Sequence, residues 1–119
     1  MTRTAIAATL AEKFTIVPND IIRRPDITPR AFRVFVWLIA NTAGGEMSAN
    51  RIAQALDMSK DTARKALIDL EHLGYLRRAQ VHNTDGTFSH IEYRLYFEPV
   101  DDTAPLTADI IVDSTGGDL

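Results

Sequence analysis

Between Ser59 and Lys65 the chain reads "SKDTARK", gathering Ser59, Lys60, Thr62, Arg64 and Lys65 in seven residues. Two hydroxyls and three cations at that density suit the recognition of an anion. Hydroxyls and the unpaired N–H groups of a helix start bind oxyanions, while Arg and Lys add charge and, for Arg, a planar fork. The same stretch then changes character: Ala63, Ala66, Leu67, Leu70 and Leu73 recur at helical spacing and ask to be buried. One end of this helix is built for a ligand and the rest for a core.

Other polar residues belong to the same question. Ser48 opens the preceding helix, Arg77 and Arg78 follow a glycine just beyond the basic helix, and Asn83 and Thr84 precede an Asp-Gly turn. Catalysis has no visible seat, since no nucleophile elbow, phosphate-binding glycine loop, dinucleotide fingerprint or carboxylate pair occurs. His72, His82 and His90 lack a fourth ligand, so no metal and no cofactor is expected, and no enzyme.

The elements that position these groups follow from local signals. Residues 1–13 form an Ala/Thr-rich arm with Ile6 and Leu10 at helical spacing, and "FTIVPN" is a brief extended segment. Asn19 is expected to cap a short helix that Pro25 stops. Thr28-Pro29 is a strong helix start, and the following "RAFRVFVWLIANT" is apolar nearly all round. Its expected stripe is Phe32, Phe35, Val36 and Ile39, with Val34 and Trp37 to the side.

Ser48 caps "ANRIAQALDM", which turns Ile52, Ala53 and Leu56 inward, and Ser59 caps the basic helix that Gly74 ends. The period then falls to two. "YLRRAQV" and "SHIEYRLYF" flank Asp85-Gly86 as an antiparallel hairpin, with Ile91, Tyr93, Leu95 and Phe97 facing in.

Length allows one domain: an arm at 1–13, a body at 14–98 and an acidic segment at 99–119. The formal charge of −3 is unevenly spread. From Glu98 onward there are six acidic and no basic residues, which leaves 13 basic and 10 acidic residues before it, or +3. The acidic segment is expected to be mobile, except that "DIIVD" is apolar enough to dock; a protein partner for it is a further expectation. The absence of cysteines excludes disulfides and thiolate metal sites. Neither a secretory signal nor a membrane span is legible, so a cytoplasmic protein with no membrane partner is expected.

Two helices joined by "DMS" make a helix-turn-helix, with Asp57 where glycine is commonest, and the hairpin adds a wing. The fold class is therefore mainly α with a β-hairpin, a winged helix-turn-helix of the α+β kind. Such a motif places the start of its second helix in the DNA major groove. The split helix then makes sense: its start meets phosphates and base edges, and its remainder packs on the core.

"SANRIAQALDMSKDTARKALIDLEHLGYLRR" resembles winged regulators of the GntR and MarR types. The resemblance implies that Ser59, Lys60, Thr62 and Arg64 contact DNA. Upstream, "FTIVPNDIIRRPDITPRAFRVFVWLIANT" is similar to the N-terminal domain of phage and plasmid replication-initiation proteins, the replisome-organiser and DnaD-like group. The expected function is sequence-specific double-stranded DNA binding, as a homodimer, in control of transcription or replication of a phage or plasmid. The expected contacts are Ser48, Ser59, Lys60, Thr62, Arg64, Lys65, Arg77, Arg78, Asn83 and Thr84. The competing reading is a winged protein-interaction module whose acidic segment binds a partner.

Overall fold

The computed structural model describes residues 13–41, 47–101 and 108–114, with the side chains of Asp113 and Ser114 excepted. Four helices precede a small sheet: α1 (Asn19–Arg23), α2 (Pro29–Ala40), α3 (Ala49–Leu56), α4 (Lys60–Leu73), β1 (Leu76–His82), β2 (Phe88–Leu95) and β3 (Ile110–Ser114). The expectations for Ile6 and Leu10 lie outside the described residues.

α1 begins one residue earlier than the sequence suggests. Pro18 takes the cap position without a side-chain bond, so Asn19 is the first helical residue and not the cap. Arg24, placed before Pro25, is driven to extended backbone (ψ 120°), which stops the helix after one turn. Its buried side chain is Ile21. α1 is also tied to the wing: the Tyr75 hydroxyl donates to Asp20, and the Arg24 guanidinium lies over the Tyr75 ring, 5.7 Å from its centre. Burial pushes the Tyr75 phenol up, and the Asp20 carboxylate adds to that; Asp26, bonded to Arg24 at 2.7 Å, keeps the guanidinium firmly charged.

α2 starts as expected, with the Thr28 hydroxyl accepting from Ala31 N at 3.3 Å and Pro29 in the first turn. Its inner face differs from the expected stripe. Ala31, Val34, Phe35 and Leu38 are buried, while Phe32, Val36, Trp37 and Ile39 are half-covered. The reason is an anchor from afar. Thr28 donates its hydroxyl to Asp69 at 2.8 Å, and Arg30 Nε donates to the same oxygen at 3.0 Å. These bonds to α4 fix the rotation of a helix whose own pattern leaves it open. Val34 therefore belongs to the core, not to a side face.

α3 is capped by Ser48, whose hydroxyl accepts from Arg51 N at 3.1 Å, and it buries Ile52, Ala53 and Leu56 as its spacing demands. Asp57 adopts the left-handed conformation (φ 53°, ψ 52°), the geometry that turns the chain into α4. α4 buries Ala63, Ala66, Leu67 and Leu70. It ends at Gly74 (φ 88°), where Tyr75 N returns to Leu70 O at 3.0 Å. A side chain at Gly74 would also collide with the backbone of Val100, whose N–H bonds Gly74 O at 2.9 Å.

β1 and β2 pair antiparallel from Leu76–Leu95 to His82–Phe88, with a bulge at Val81/His82 and Gly86 (φ 88°) in the turn. Leu76, Ile91, Tyr93 and Leu95 face the core. The expected alternation breaks after Leu95: Tyr96 is buried and Phe97 is exposed, because β2 ends there and Tyr96 N bonds Tyr75 O at 3.0 Å.

The "DIIVD" stretch, excepted from the expectation of a mobile segment beyond residue 98, docks on the body. Residues Ile110–Ser114 return as β3, antiparallel to β2, giving the sheet order β1-β2-β3. Val112 is fully buried opposite Tyr93, and the Asp109 carboxylate accepts from Phe97 N at 2.7 Å. The sheet therefore extends beyond the expected boundary at residue 98, and docking is what this apolar run does.

Candidate nucleic-acid interface

At the start of α4 the Ser59 hydroxyl accepts from Thr62 N at 3.0 Å and donates to the Thr62 hydroxyl at 2.8 Å. The first turn is thus held open-ended and ordered, with its remaining N–H groups facing outward. Ser59, Lys60, Arg64 and Lys65 are exposed, and Thr62 is half-buried. Lys65 is bridged to Asp61 at 3.0 Å across one helical turn, with both side chains more than half exposed, a contact weak enough to open for a stronger anion.

Lys60 and Arg64 lie one turn apart, and among the described residues neither makes an ion pair. Arg51 on α3 is likewise exposed and without an ion pair there. Lys60 and Arg51 each occupy the first turn of a helix, where the backbone dipole disfavours a cation. The first turn of α4 also holds Asp61, but that of α3 has no acidic residue, so the charge of Arg51 there is a cost that an external anion would offset. Arg51 was missed from sequence. The signal that would have found it is a cation three residues after a capping serine.

The remaining expected contacts are arranged differently. Ser48 is only 6% exposed and its hydroxyl is engaged in the α3 cap. Arg78 turns inward: its side chain is 10% exposed and donates to Glu71 on α4 at 2.5 Å. Burial opposes the charge on Arg78, yet the Glu71 carboxylate holds its pKa above the ordinary value. Arg78 therefore fastens the wing to α4. Arg77 is half-buried and donates to the backbone carbonyl of Asp101.

At the wing tip Asn83 is spent on the turn, with its N–H on Thr87 O at 2.8 Å and its side-chain amide on the Thr87 hydroxyl at 3.0 Å. Thr84 sits exposed beside it. Hydrogen bonds from the Thr87 hydroxyl and N–H hold the Asp85 carboxyl below the usual range, so the tip carries a firm negative charge. From Ala79 to Tyr93 there is no Lys or Arg at all. His82 packs edge-on against Phe88 at 6.4 Å, and His90 lies 3.0 Å from the Ser89 hydroxyl. Among the described residues no group of three His, Asp or Glu side chains could hold a metal ion, and no helix is long and apolar enough to cross a membrane.

Three helices with a left-handed turn between the second and third of them, followed by a hairpin, define a winged helix-turn-helix domain. Residues 30–80 are similar to the IclR helix-turn-helix domain family, a match that runs from the start of α2 into β1. This similarity supports a winged helix-turn-helix regulator that binds DNA sequence-specifically and controls transcription. The finer likeness to GntR, MarR and replication-initiation proteins gains no separate support from it. No curated protein and no solved structure is significantly similar to the chain.

Proposed function

We propose that the protein binds double-stranded DNA sequence-specifically, with the first turn of α4 in the major groove and α3 lying across the backbone. The observation that carries this reading is the set of exposed cations, Arg51, Lys60 and Arg64, without an ion pair among the described residues, on two consecutive helices joined by a left-handed turn. Arg64 is the side chain best suited to a guanine edge, Lys60 and Arg51 to phosphates, and the Ser59–Thr62 cap to a phosphate oxygen. The wing contributes neutral donors at Thr84 and few charges.

So few phosphate contacts per chain would bind weakly at physiological salt, which favours a homodimer reading two half-sites. The upstream resemblance to replication initiators extends the reading to control of transcription or replication on a phage or plasmid. A protein-docking role for α4 is disfavoured because Ile68, at 41%, is its sole strongly exposed large apolar residue. Selection of bound sequences from a random duplex pool tests the proposal. A two-fold pair of half-sites is expected, and a folded Lys60→Ala/Arg64→Ala variant that binds duplex as well as the parent overturns it.

A further inference from the structure

The wing tip carries charge of the wrong sign for a phosphate backbone. Between Ala79 and Tyr93 the acidic residues are Asp85 and Glu92, and there is no Lys or Arg. Glu92 is bonded to Arg94 at 2.9 Å, whereas Asp85 is exposed and makes no ion pair among the described residues. Its place is fixed by the turn. Asp85 Oδ1 accepts from the Thr87 hydroxyl at 2.6 Å and from Thr87 N at 3.0 Å. Asn83 N on Thr87 O at 2.8 Å and Gly86 N on Asn83 O at 2.9 Å close the loop around it.

The lengths of two elements bring this charge to the recognition end of the domain. Gly74 turns β1 back beside α4, where Arg78 bonds Glu71. The 14 residues of α4 span about 21 Å, and the 7 of β1 about 23 Å. The strand therefore runs the length of the helix, and the tip ends near the level of Lys60 and Arg64.

We infer that Asp85 sets a flank preference: with α4 in the major groove, the wing tip overlies the adjacent minor groove, and its carboxylate disfavours A·T-rich sequence there. The inference rests on the DNA reading above. Narrow A·T tracts concentrate negative potential in the minor groove, which attracts an inserted cation and repels a fixed anion. A G·C pair also presents the guanine amino group there, a donor to a carboxylate, where A·T pairs present acceptors alone.

The test places the selected core between A·T-rich and G·C-rich flanks and compares the affinity of the full chain for the two duplexes at one salt concentration. The parent should prefer the G·C flanks by about threefold, roughly the effect of one charge pair about 6 Å apart in water. Asp85→Asn keeps an oxygen for the Thr87 bonds and removes the charge, so it should bind the two duplexes alike. Asp85→Glu keeps the charge and should keep the preference. A parent indifferent to the flanks, or an Asp85→Asn variant with the full preference, overturns the role of Asp85 and leaves α4 in the major groove. A preference lost equally in Asp85→Glu overturns it too, since turn geometry and not charge would then be responsible. A random pool that yields no core sequence removes the DNA reading and this inference with it.

Discussion

The start of α4 and the base of the wing are both basic, yet they use their cations in opposite ways. At the helix start Lys60 and Arg64 stand exposed and make no ion pair among the described residues, the nearby Asp61 being bridged to Lys65. At the wing base Arg78 is clamped by Glu71, Arg94 is bonded to Glu92 at 2.9 Å, and Arg77 is drawn to the carbonyl of Asp101. In sequence the two clusters look alike and lie about four helical turns apart. What separates them is whether a partner already satisfies the charge. A guanidinium already bonded to a carboxylate or carbonyl is a fastener; one held at a helix start without an ion pair is available to a ligand.

That contrast can be broken from either side. The largest effect is expected for Arg78→Ala, which leaves Glu71 without its partner and opens the joint between α4 and β1. It should cost about 3 kcal/mol of stability in denaturant titration, the lower end for losing half of a buried pair because Glu71 is one-third exposed. An unchanged unfolding midpoint would mean that Arg78 is no fastener. Arg64→Ala should do the reverse: no measurable change in stability, and a loss of about 1–3 kcal/mol in binding to the selected duplex, with relaxed preference at one base position. Equal losses across all sequences would assign Arg64 to phosphate instead.

A smaller effect separates charge from geometry. Lys60→Ala should lower the slope of log affinity against log salt by about one unit, while Thr84→Ala at the wing tip should leave the slope unchanged. A wing substitution that changes the slope would show ionic contacts that the wing's composition does not offer. The smallest effect concerns pH. Burial works against the Asp69 carboxylate, but hydrogen bonds from Arg30 and Thr28 outweigh it and hold its pKa below the ordinary value. A depressed pKa contributes stability that is present above about pH 4, the ordinary carboxylate range, and is lost as pH falls through the folded value. Asp69→Asn should therefore flatten the acid side of the stability profile and leave the neutral side offset. A profile that keeps its acid slope would place that linkage elsewhere.

Much of the site was legible because capping is local. Thr28-Pro29, Ser48, Ser59, Asp57 and Gly74 announce helix ends within three or four residues, and those ends determine where Lys60 and Arg64 stand. What the sequence hid depends on partners far along the chain. The inner face of α2 is set by Asp69, 39 and 41 residues from Arg30 and Thr28, so a helix apolar all round could not declare its own rotation. Arg78 and Glu71 meet only because Gly74 turns the strand back beside the helix. The register of β3 was equally hidden: five residues of mixed apolar and acidic type fit several sheet edges, and pairing of Tyr93 with Val112 is a tertiary choice.

β3 also has a consequence in time. Its partner strand is already complete at Leu95, but the sheet cannot close until the chain has travelled past Gly74 and come back to Ile110. Closing that loop is paid in entropy before Val112 covers Tyr93, so β3 is expected to join last and to leave first. During each such excursion one edge of β2 is unpaired, and its amides facing β3 should exchange with solvent faster than those facing β1. The exposed edge belongs to the strand that carries Ile91, Tyr93 and Leu95 into the core. A fold that is secure at its helices thus keeps its point of entry for proteases and for unwanted strand pairing on the far side of the wing, where the lifetime of one short strand sets the exposure.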